Sequence, residues 1–306
     1  MGTTSDAGDD PTVSVVLPVY DAESYVEEAV ESVLGQTYDD FELLVVHRPH
    51  AADDRTEELL EPYLRDERVV YRRQVDAGYA EGINQGIEAA TGRYVCFQDA
   101  DDVSLPTRLE KEVAVLDAHP NVHLVFSQAW FLDDDGERDD RWSEVPAGVL
   151  PAEEAFYRLY LHGNFVPNPS VMFRNDGARR FNEDLETCAD YEHHLHVAHE
   201  ADLYAIGEPL VEMRRGDAHE HMTTRYEQNL ADGRRIIRLI RRRYREAEPR
   251  VTRRHYRRAM SNRYLQDANY RLPNPASLRG LGLALAYDPT NERIYDSLSS
   301  LVAGVS

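Results

Sequence analysis

Residues 93–106, RYVCFQDADDVSLP, decide how the rest of the chain is read. Val95, Cys96 and Phe97 have the composition of a short buried strand, and that strand stops abruptly in Asp99, Asp101 and Asp102. Three carboxylates crowded onto one strand end repel each other unless a cation sits among them. Hard divalent cations such as Mg2+ and Mn2+ take oxygen ligands, commonly one or two carboxylates completed by substrate phosphates. In open α/β sheets ligands bind at the carboxyl ends of strands, which is where these acids stand. The competing reading is a solvated acidic turn, which so acidic a chain offers freely.

Upstream, residues 13–17 form a valine-rich run ending in Pro18, the pattern of a buried first strand. The residues that follow, Val19-Tyr20-Asp21-Ala22-Glu23, contain no glycine. A dinucleotide fold wants G-x-G-x-x-G here and a phosphate-cradling P-loop wants its glycines and lysine, so the absence argues against both. Apolar spacing predicts a helix through Tyr25, Val26, Ala29, Val30, Val33 and Leu34, stopped by Gly35. Strands are predicted at 41–46 and 69–71, and helices at 55–64 and 78–90, the last closed by Gly92. Strand and helix alternate for more than a hundred residues, which predicts a mostly parallel sheet flanked by helices. The crevice is then expected where Tyr20, His47, Asp76 and Asp99 converge.

At 306 residues the chain can bury a full core and hold one large domain with an appendage. Its formal net charge is −22, and the single lysine is Lys111, so nearly all positive charge is arginine. An acidic, lysine-poor surface fits a protein that stays soluble in concentrated salt, as in a halophilic source. Two cysteines, Cys96 and Cys188, cannot build a disulfide framework and point to a reducing compartment. With no charged-then-apolar leader and no apolar run near eighteen residues, the chain reads as soluble and cytoplasmic.

Two longer segments carry a resemblance. VSVVLPVYDAESYVEEAVESVLGQTYDDFELLVV and DAGYAEGINQGIEAATGRYVCFQDADDVSLPTRLEKEV resemble family 2 of the inverting glycosyltransferases, over roughly residues 13–215. The resemblance implies a GT-A (Rossmann-like) fold and transfer of a sugar from a nucleoside-diphosphate sugar to a hydroxyl acceptor. By position it assigns Asp99 and Asp101 to the donor ribose and the metal-bound diphosphate, with Asp102 as a neighbouring ligand or a group supporting the ligands. Pro18, Tyr20 and Glu23 fall where the family lines the nucleotide pocket, and Asp76, Gly78 and Asn84 in its "N-x-G…R-N" segment. Two departures stand out. The second strand ends in Val46-His47-Arg48-Pro49 rather than Asp-Asp-Gly-Ser, keeping only the "D-x-T" end as Asp54-Arg55-Thr56, and Ile83 replaces the arginine before Asn84.

Further along, a helix is predicted at 106–118, a strand at 122–126, a turn at 133–136, a helix at 152–161 and a strand at 171–173. The loop 163–170, GNFVPNPS, is expected to touch donor sugar or acceptor. Residues 181–192 resemble the family's "F-D-E…E-D-Y-D" segment, whose Asp is the catalytic base; by position this is Asp190, preceded by Ala189 instead of Glu. A sugar hydroxyl needs such a carboxylate to accept its proton during attack. His193, His194, His196 and His199 are read as packing or surface histidines. Strands at 201–204 and 209–213 lead to Arg214, a candidate diphosphate contact, and to His219 or His221 as a candidate metal ligand.

Residues 225–263 hold fourteen arginines against four acids, a local charge of +10. Apolar residues recur at helical spacing among them. The segment reads first as a helical appendage, then as a peripheral membrane contact reaching a lipid-linked acceptor, and last as a nucleic-acid binder, which is not expected. Helices at 277–287 and 291–302 end the chain. The expected division is a disordered tail (1–12), a catalytic domain (13–221, nucleotide half 13–105 and acceptor half 106–221) and a helical appendage (222–306). Expected partners are a UDP-sugar first, or a GDP- or dTDP-sugar, a glycan or polyprenyl-phosphate-linked acceptor, and Mn2+ or Mg2+. Two alternatives are a sugar-phosphate nucleotidyltransferase and a catalytically impaired nucleotide-sugar-binding protein. The composition makes one prediction. The midpoint of thermal unfolding rises between dilute buffer and molar KCl, and an unchanged or falling midpoint contradicts the salt-adapted reading.

Overall fold

The computed structural model describes residues 11–51, 53–75, 78–133, 136–142, 145–177, 179–215, 225–271, 274 and 277–303, and it divides into two compact units. Apart from Pro11 and Thr12, the expected tail lies outside the described residues.

The first unit (Met1–Pro151, Phe165–Asp184, Ala201–Glu220) is built on one sheet. Its elements are β1 (Val13–Val19), α1 (Val26–Leu34), β2 (Phe41–His47), α2 (Thr56–Leu60), β3 (Val69–Arg73), α3 (Tyr79–Ala89), β4 (Tyr94–Phe97), β5 (Val103–Ser104), α4 (Arg108–Ala118), β6 (Val122–Leu132), β7 (Arg138–Trp142), β8 (Gly148–Leu150), β9 (Val171–Arg174) and β10 (Asp202–Arg214). The order is β3-β2-β1-β4-β9-β6-β10-β5, with β7 on β6 and β8 on β10. Of these ten described strands, β1, β2, β3, β4, β6 and β10 run in one sense; β9 runs against both β4 and β6 and so joins the two parallel groups. The sheet is therefore mixed and mostly parallel.

β1 is central because both its faces are apolar. Val13, Val15, Leu17 and Val19 pack with Val26, Ala29, Val30 and Val33 of α1 and Leu109, Val113 and Leu116 of α4. Val16 faces α3, where a Cβ on Gly86 would come within 2.2 Å of its Cγ1, so only glycine lets that helix lie so close. Pro18 costs no ladder bond. Val16 accepts from Gln98 N and Val19 from Arg48 N, so the missing N–H of Pro18 points past the last paired residue of β4.

Beneath β4 lies a polar platform with no solvent exposure. Arg108 of α4 donates through Nη2 to the Phe97 carbonyl (2.8 Å), through Nη1 to Ser104 Oγ (2.9 Å) and Gln98 Oε1 (3.3 Å), and through Nε to Glu112 Oε1 (3.1 Å). Both Arg108 and Glu112 are 0% exposed. Burial pushes the Glu112 carboxyl up to about 7, with Arg108 pulling the other way, and burial likewise pushes the Cys96 thiol up.

The second unit (Ala152–Asn164, Leu185–Glu200, His221–Ser306) is helical: α5 (Ala152–His162), α6 (Ala189–Glu200), α7 (Tyr226–Arg243), α8 (Arg253–Tyr270), α9 (Ser277–Tyr287) and α10 (Arg293–Ala303). The Tyr160 hydroxyl donates to the Ile237 carbonyl, Asn262 Nδ2 to the Leu161 carbonyl, and the His199 ring stacks on Tyr244 at 3.6 Å. Leu265, Ala268, Leu281, Ala284 and Ile294 form a separate small core. Among the described residues no helix is long and apolar enough to cross a membrane.

Several expectations are corrected. Residues 152–164 and 185–200 group with the C-terminal helices in the second unit. The helix expected at 55–64 ends at Leu60 and resumes as a 3₁₀ turn, Tyr63–Arg65, because Pro62 brings no N–H. The two strands expected at 201–204 and 209–213 are one strand, whose register shifts between Ile206 and Pro209. β6 extends to Leu132, past the polar Ser127 and Gln128 that break its apolar pattern.

The buried pair predicts a double-mutant result. Arg108→Leu strands the Glu112 carboxyl and lowers stability by about 3–5 kcal/mol in urea unfolding, whereas Arg108→Leu/Glu112→Leu regains most of the loss. Equal losses in both variants contradict the assignment.

Candidate active site

The acid turn after β4 is wound around a side-chain amide. Gln98, fully buried, donates Nε2 to the carbonyls of Asp99 (3.0 Å) and Asp102 (2.8 Å), and Asp102 N–H donates to the Asp99 carbonyl at 3.2 Å. The three carboxylates then differ in surroundings. Asp99 Oδ1 accepts from the Tyr79 hydroxyl at 2.9 Å, and Asn168 Nδ2 donates to that hydroxyl at 3.0 Å. Asp102 is buried and its Oδ1 accepts the backbone N–H of Arg214 at 2.9 Å. Burial, then the charges of Asp101 and Asp99, hold the Asp102 carboxyl well above the usual carboxylate range. Such a group is relieved by a proton or by a cation.

The donor set fits a divalent cation in the sparse manner of Mg2+ and Mn2+. Asp99, Asp101 and Asp102 do not form a tight three-ligand group; among the described residues the group with donor atoms within 4.8 Å of one another is Glu23, His50 and Asp54. One or two carboxylates completed by substrate phosphates suffice for these ions, and Asp101 and Asp99 are the residues of the turn that would hold one. Asp102, engaged by Arg214 N–H, holds the turn to β10. His219 and His221 lie outside the described residues, as does Asp76.

At the neighbouring strand ends, Tyr20 is 50% exposed, the Arg48 guanidinium lies 3.7 Å over its ring, and the His50 ring meets its edge at 6.2 Å. Pro18 pairs with Val46 inside the sheet, and Glu23 Oε1 accepts the N–H of Arg55 at 3.1 Å. His47 is buried, with Nδ1 2.9 Å from the Tyr71 hydroxyl and Nε2 3.4 Å from Asp54 Oδ2. Burial lowers its pKa against the pull of Asp54. Asn84, expected at the nucleotide, spends its amide elsewhere: Nδ2 donates to the Phe181 carbonyl (3.0 Å) and Glu183 Oε1 (2.7 Å), and Oδ1 accepts Phe181 N–H (2.8 Å). The Arg214 side chain pairs with Glu28 and lies 4.8 Å over the Tyr25 ring.

In the second unit Asp190 is the second residue of α6, just after Cys188, whose φ is +58°. Burial pushes its carboxyl up to about 6, against hydrogen bonds from the backbone N–H groups of Tyr191 and Asp190 and from Asn164. Asn164 Nδ2 donates to Asp190 Oδ2 at 2.8 Å, and Asn164 Oδ1 lies 3.3 Å from His194 Nδ1. The ring therefore orients the amide that orients the acid. His193 and His194 are buried, His196 meets Glu192 at 2.9 Å, and His199 stacks on Tyr244. Sequence reasoning missed Tyr79, and it named Asn164 and Asn168 only as members of a loop.

A family-wide sequence profile described as "Glycosyl transferase family 2" matches residues 14–185. An uncharacterized glycosyltransferase of Methanocaldococcus jannaschii is 26% identical over 228 residues, covering 72% of this chain and 77% of that protein. Several other curated relatives are longer, and the chain spans less than two thirds of their length. Among solved structures, residues 1–349 of S. aureus TarS in complex with UDP-GlcNAc superpose with a TM-score of 0.67 at 18% identity, covering 92% of this chain and 82% of that one. The mannosyltransferase PcManGT of Pyrobaculum calidifontis, solved with GDP-Man and Mn2+, gives 0.58 at 19% identity over 97% and 81%. At these identities the likeness establishes the fold. With more than half of its residues matched by the profile, from β1 through the acid turn and on past Phe181, the chain belongs to glycosyl transferase family 2.

Proposed function

We propose that this glycosyltransferase moves a sugar from a nucleoside-diphosphate sugar to a hydroxyl acceptor by a single displacement that inverts the anomeric carbon. The observation that carries the reading is the acid turn at the carboxyl end of β4, inside the segment matched by the family profile. Asp190 accepts the proton of the acceptor hydroxyl as its oxygen attacks the anomeric carbon. The bond from that carbon to the diphosphate breaks, and the diphosphate leaves with the electron pair. A carboxyl near pKa 6 suits this task, since it is ionised at neutral pH and still basic enough to take a proton in the transition state. Asp101 and Asp99 would hold Mn2+ or Mg2+, whose charge offsets that of the departing diphosphate. Tyr20, half exposed under Arg48, offers a face for the base.

The complexes of TarS with UDP-GlcNAc and of PcManGT with GDP-Man support a UDP-sugar first and a GDP-sugar second, with dTDP-sugars as the third choice. The acceptor we infer is a glycan or polyprenyl-phosphate-linked saccharide reached in the cytoplasm. Arg235, Arg238 and Arg242, exposed at spacings of three and four on α7, support a contact with the anionic face of the cell membrane.

Incubation with each nucleotide sugar, Mn2+ and acceptor should release nucleoside diphosphate only when acceptor is present. Release that ignores the acceptor, or no release with any donor, overturns the reading. Asp101→Ala should lower turnover by roughly 100-fold or more while leaving the unfolding midpoint unchanged; retained turnover refutes its assignment. Turnover should fall as pH drops through about 6, where Asp190 gains its proton. Asn164→Ala removes a donor that favours the ionised form, so the acid limb should move to higher pH. A limb that stays in place in this variant shows that another group controls it.

A further inference from the structure

Beside the β6–β7 ribbon a cavity of about 700 Å3 opens onto Gln128 and Trp130 of β6, Asp140 and Arg141 of β7, and Pro146 and Ala147 of the segment leading to β8. We propose that this cavity binds a neutral saccharide portion of the acceptor, with the Trp130 indole as the surface on which the C–H groups of a sugar ring pack. The proposal rests on the sugar-transfer reading above and names where the acceptor is recognised.

The walls carry polar groups that the protein itself leaves open. Asp140 Oδ1 accepts the Arg141 N–H at 2.7 Å, but among the described residues Asp140 Oδ2, the Gln128 amide and the Arg141 guanidinium have no hydrogen-bond partner. The two tryptophans differ in the same way: Trp142 donates its indole N–H to the Phe165 carbonyl at 3.1 Å, whereas that of Trp130 meets no acceptor among the described residues. Trp130 is nevertheless held in place. Arg141 stands directly opposite it in the ribbon with its guanidinium 4.1 Å from the ring centre, and Arg138, 5.6 Å from that centre, is tied to Glu212 Oε1 at 2.6 Å. These groups select the ligand. A sugar hydroxyl both donates and accepts, which suits an amide, a guanidinium, an indole N–H and a carboxylate oxygen set around one space. An apolar ligand would leave those groups unpaired, and an anion would meet the exposed carboxylates of Asp139 and Asp140.

The cavity is built into the same sheet as the acid turn. Glu212 of β10 pairs with Val103, the residue after Asp102, on one side and with Trp130 on the other. Two strand spacings, about 10 Å, therefore separate the Trp130 backbone from the end of the turn. Asp139 Oδ2, at the cavity wall, accepts from Arg215 Nη2 at 2.8 Å, and the neighbouring Arg214 N–H is the one that Asp102 accepts. Gly207, where the register of β10 shifts, lets the segment carrying Ala147 stand against that strand, since a Cβ there would come within 2.8 Å of the Ala147 Cβ. The volume falls in the roughly 300–1,000 Å3 range of small-molecule sites.

The test is binding of the full-length protein, with no nucleotide sugar present, to an array of immobilised neutral and acidic oligosaccharides, followed by calorimetric titration with the neutral oligosaccharide bound best. Trp130→Ala should weaken that binding at least tenfold, and Arg141→Ala and Gln128→Ala severalfold each, with the far-ultraviolet circular dichroism of the parent retained. Trp130→Phe should restore part of the loss, and Asp101→Ala should leave binding intact, which separates this cavity from the acid turn. Binding to no saccharide on the array, binding to acidic ones alone, or binding that survives both Trp130→Ala and Arg141→Ala overturns the proposal. Because no donor is present, the outcome is distinct from that of the transferase reading. A protein that binds saccharide through Trp130 but releases no nucleoside diphosphate keeps this site and loses that reading, whereas acceptor-dependent turnover with an unchanged acceptor KM in Trp130→Ala keeps that reading and removes this site.

Discussion

The guanidinium of Arg108 is the constraint on which the candidate site rests. It sits without solvent exposure under the last carbonyl of β4, and its charge interacts with Asp99 in the turn above. Glu112 cannot be its whole purpose, because a buried ion pair gains little over apolar residues of similar shape. What the arrangement adds is position. The same guanidinium engages Phe97, Gln98 and Ser104, and Gln98 in turn holds both ends of the acid turn. The backbone of the acid turn is thereby fixed, and under the proposed function a preorganised ligand set would lose less entropy on binding a cation.

At the candidate site, Asp102 and Asp190 are both raised first by burial and differ in what acts beside it. For Asp102, burial is joined by the charges of Asp101 and Asp99, so a cation near the turn brings it back down. For Asp190 the cause is burial opposed by hydrogen bonds, which leaves a group able to gain and lose a proton near neutral pH. Carboxyls separated by environment in this way are suited to separate tasks, one set to hold charge and one to move a proton.

Much of the first unit was legible. The valine-rich runs at β1 and β2, the glycine stops and the crowding of Asp99, Asp101 and Asp102 each carry a local signal that tertiary structure did not override. The grouping of α5 and α6 with the C-terminal helices was not legible, because helical periodicity reveals an apolar face without naming what covers it. Arg108 and Glu112 stand four apart on a helix, a spacing that exposed pairs share, and only the fold reveals their burial. Asn84 fell in the right motif, but its amide clamps Phe181 and Glu183, ninety-seven and ninety-nine residues away, a pairing that no local pattern carries. His50 drew no attention although Asp54 stands four residues on, because Asp21 meets it only once β1 and β2 lie side by side.

The most direct measurement is anomalous diffraction at the manganese edge from crystals grown with Mn2+ and a nucleoside diphosphate. The account predicts one strong peak at the carboxyl end of β4, between the Asp101 and Asp99 carboxylates and the diphosphate oxygens. Diphosphate bound with its manganese away from both aspartates, or bound with no manganese at all, would contradict it.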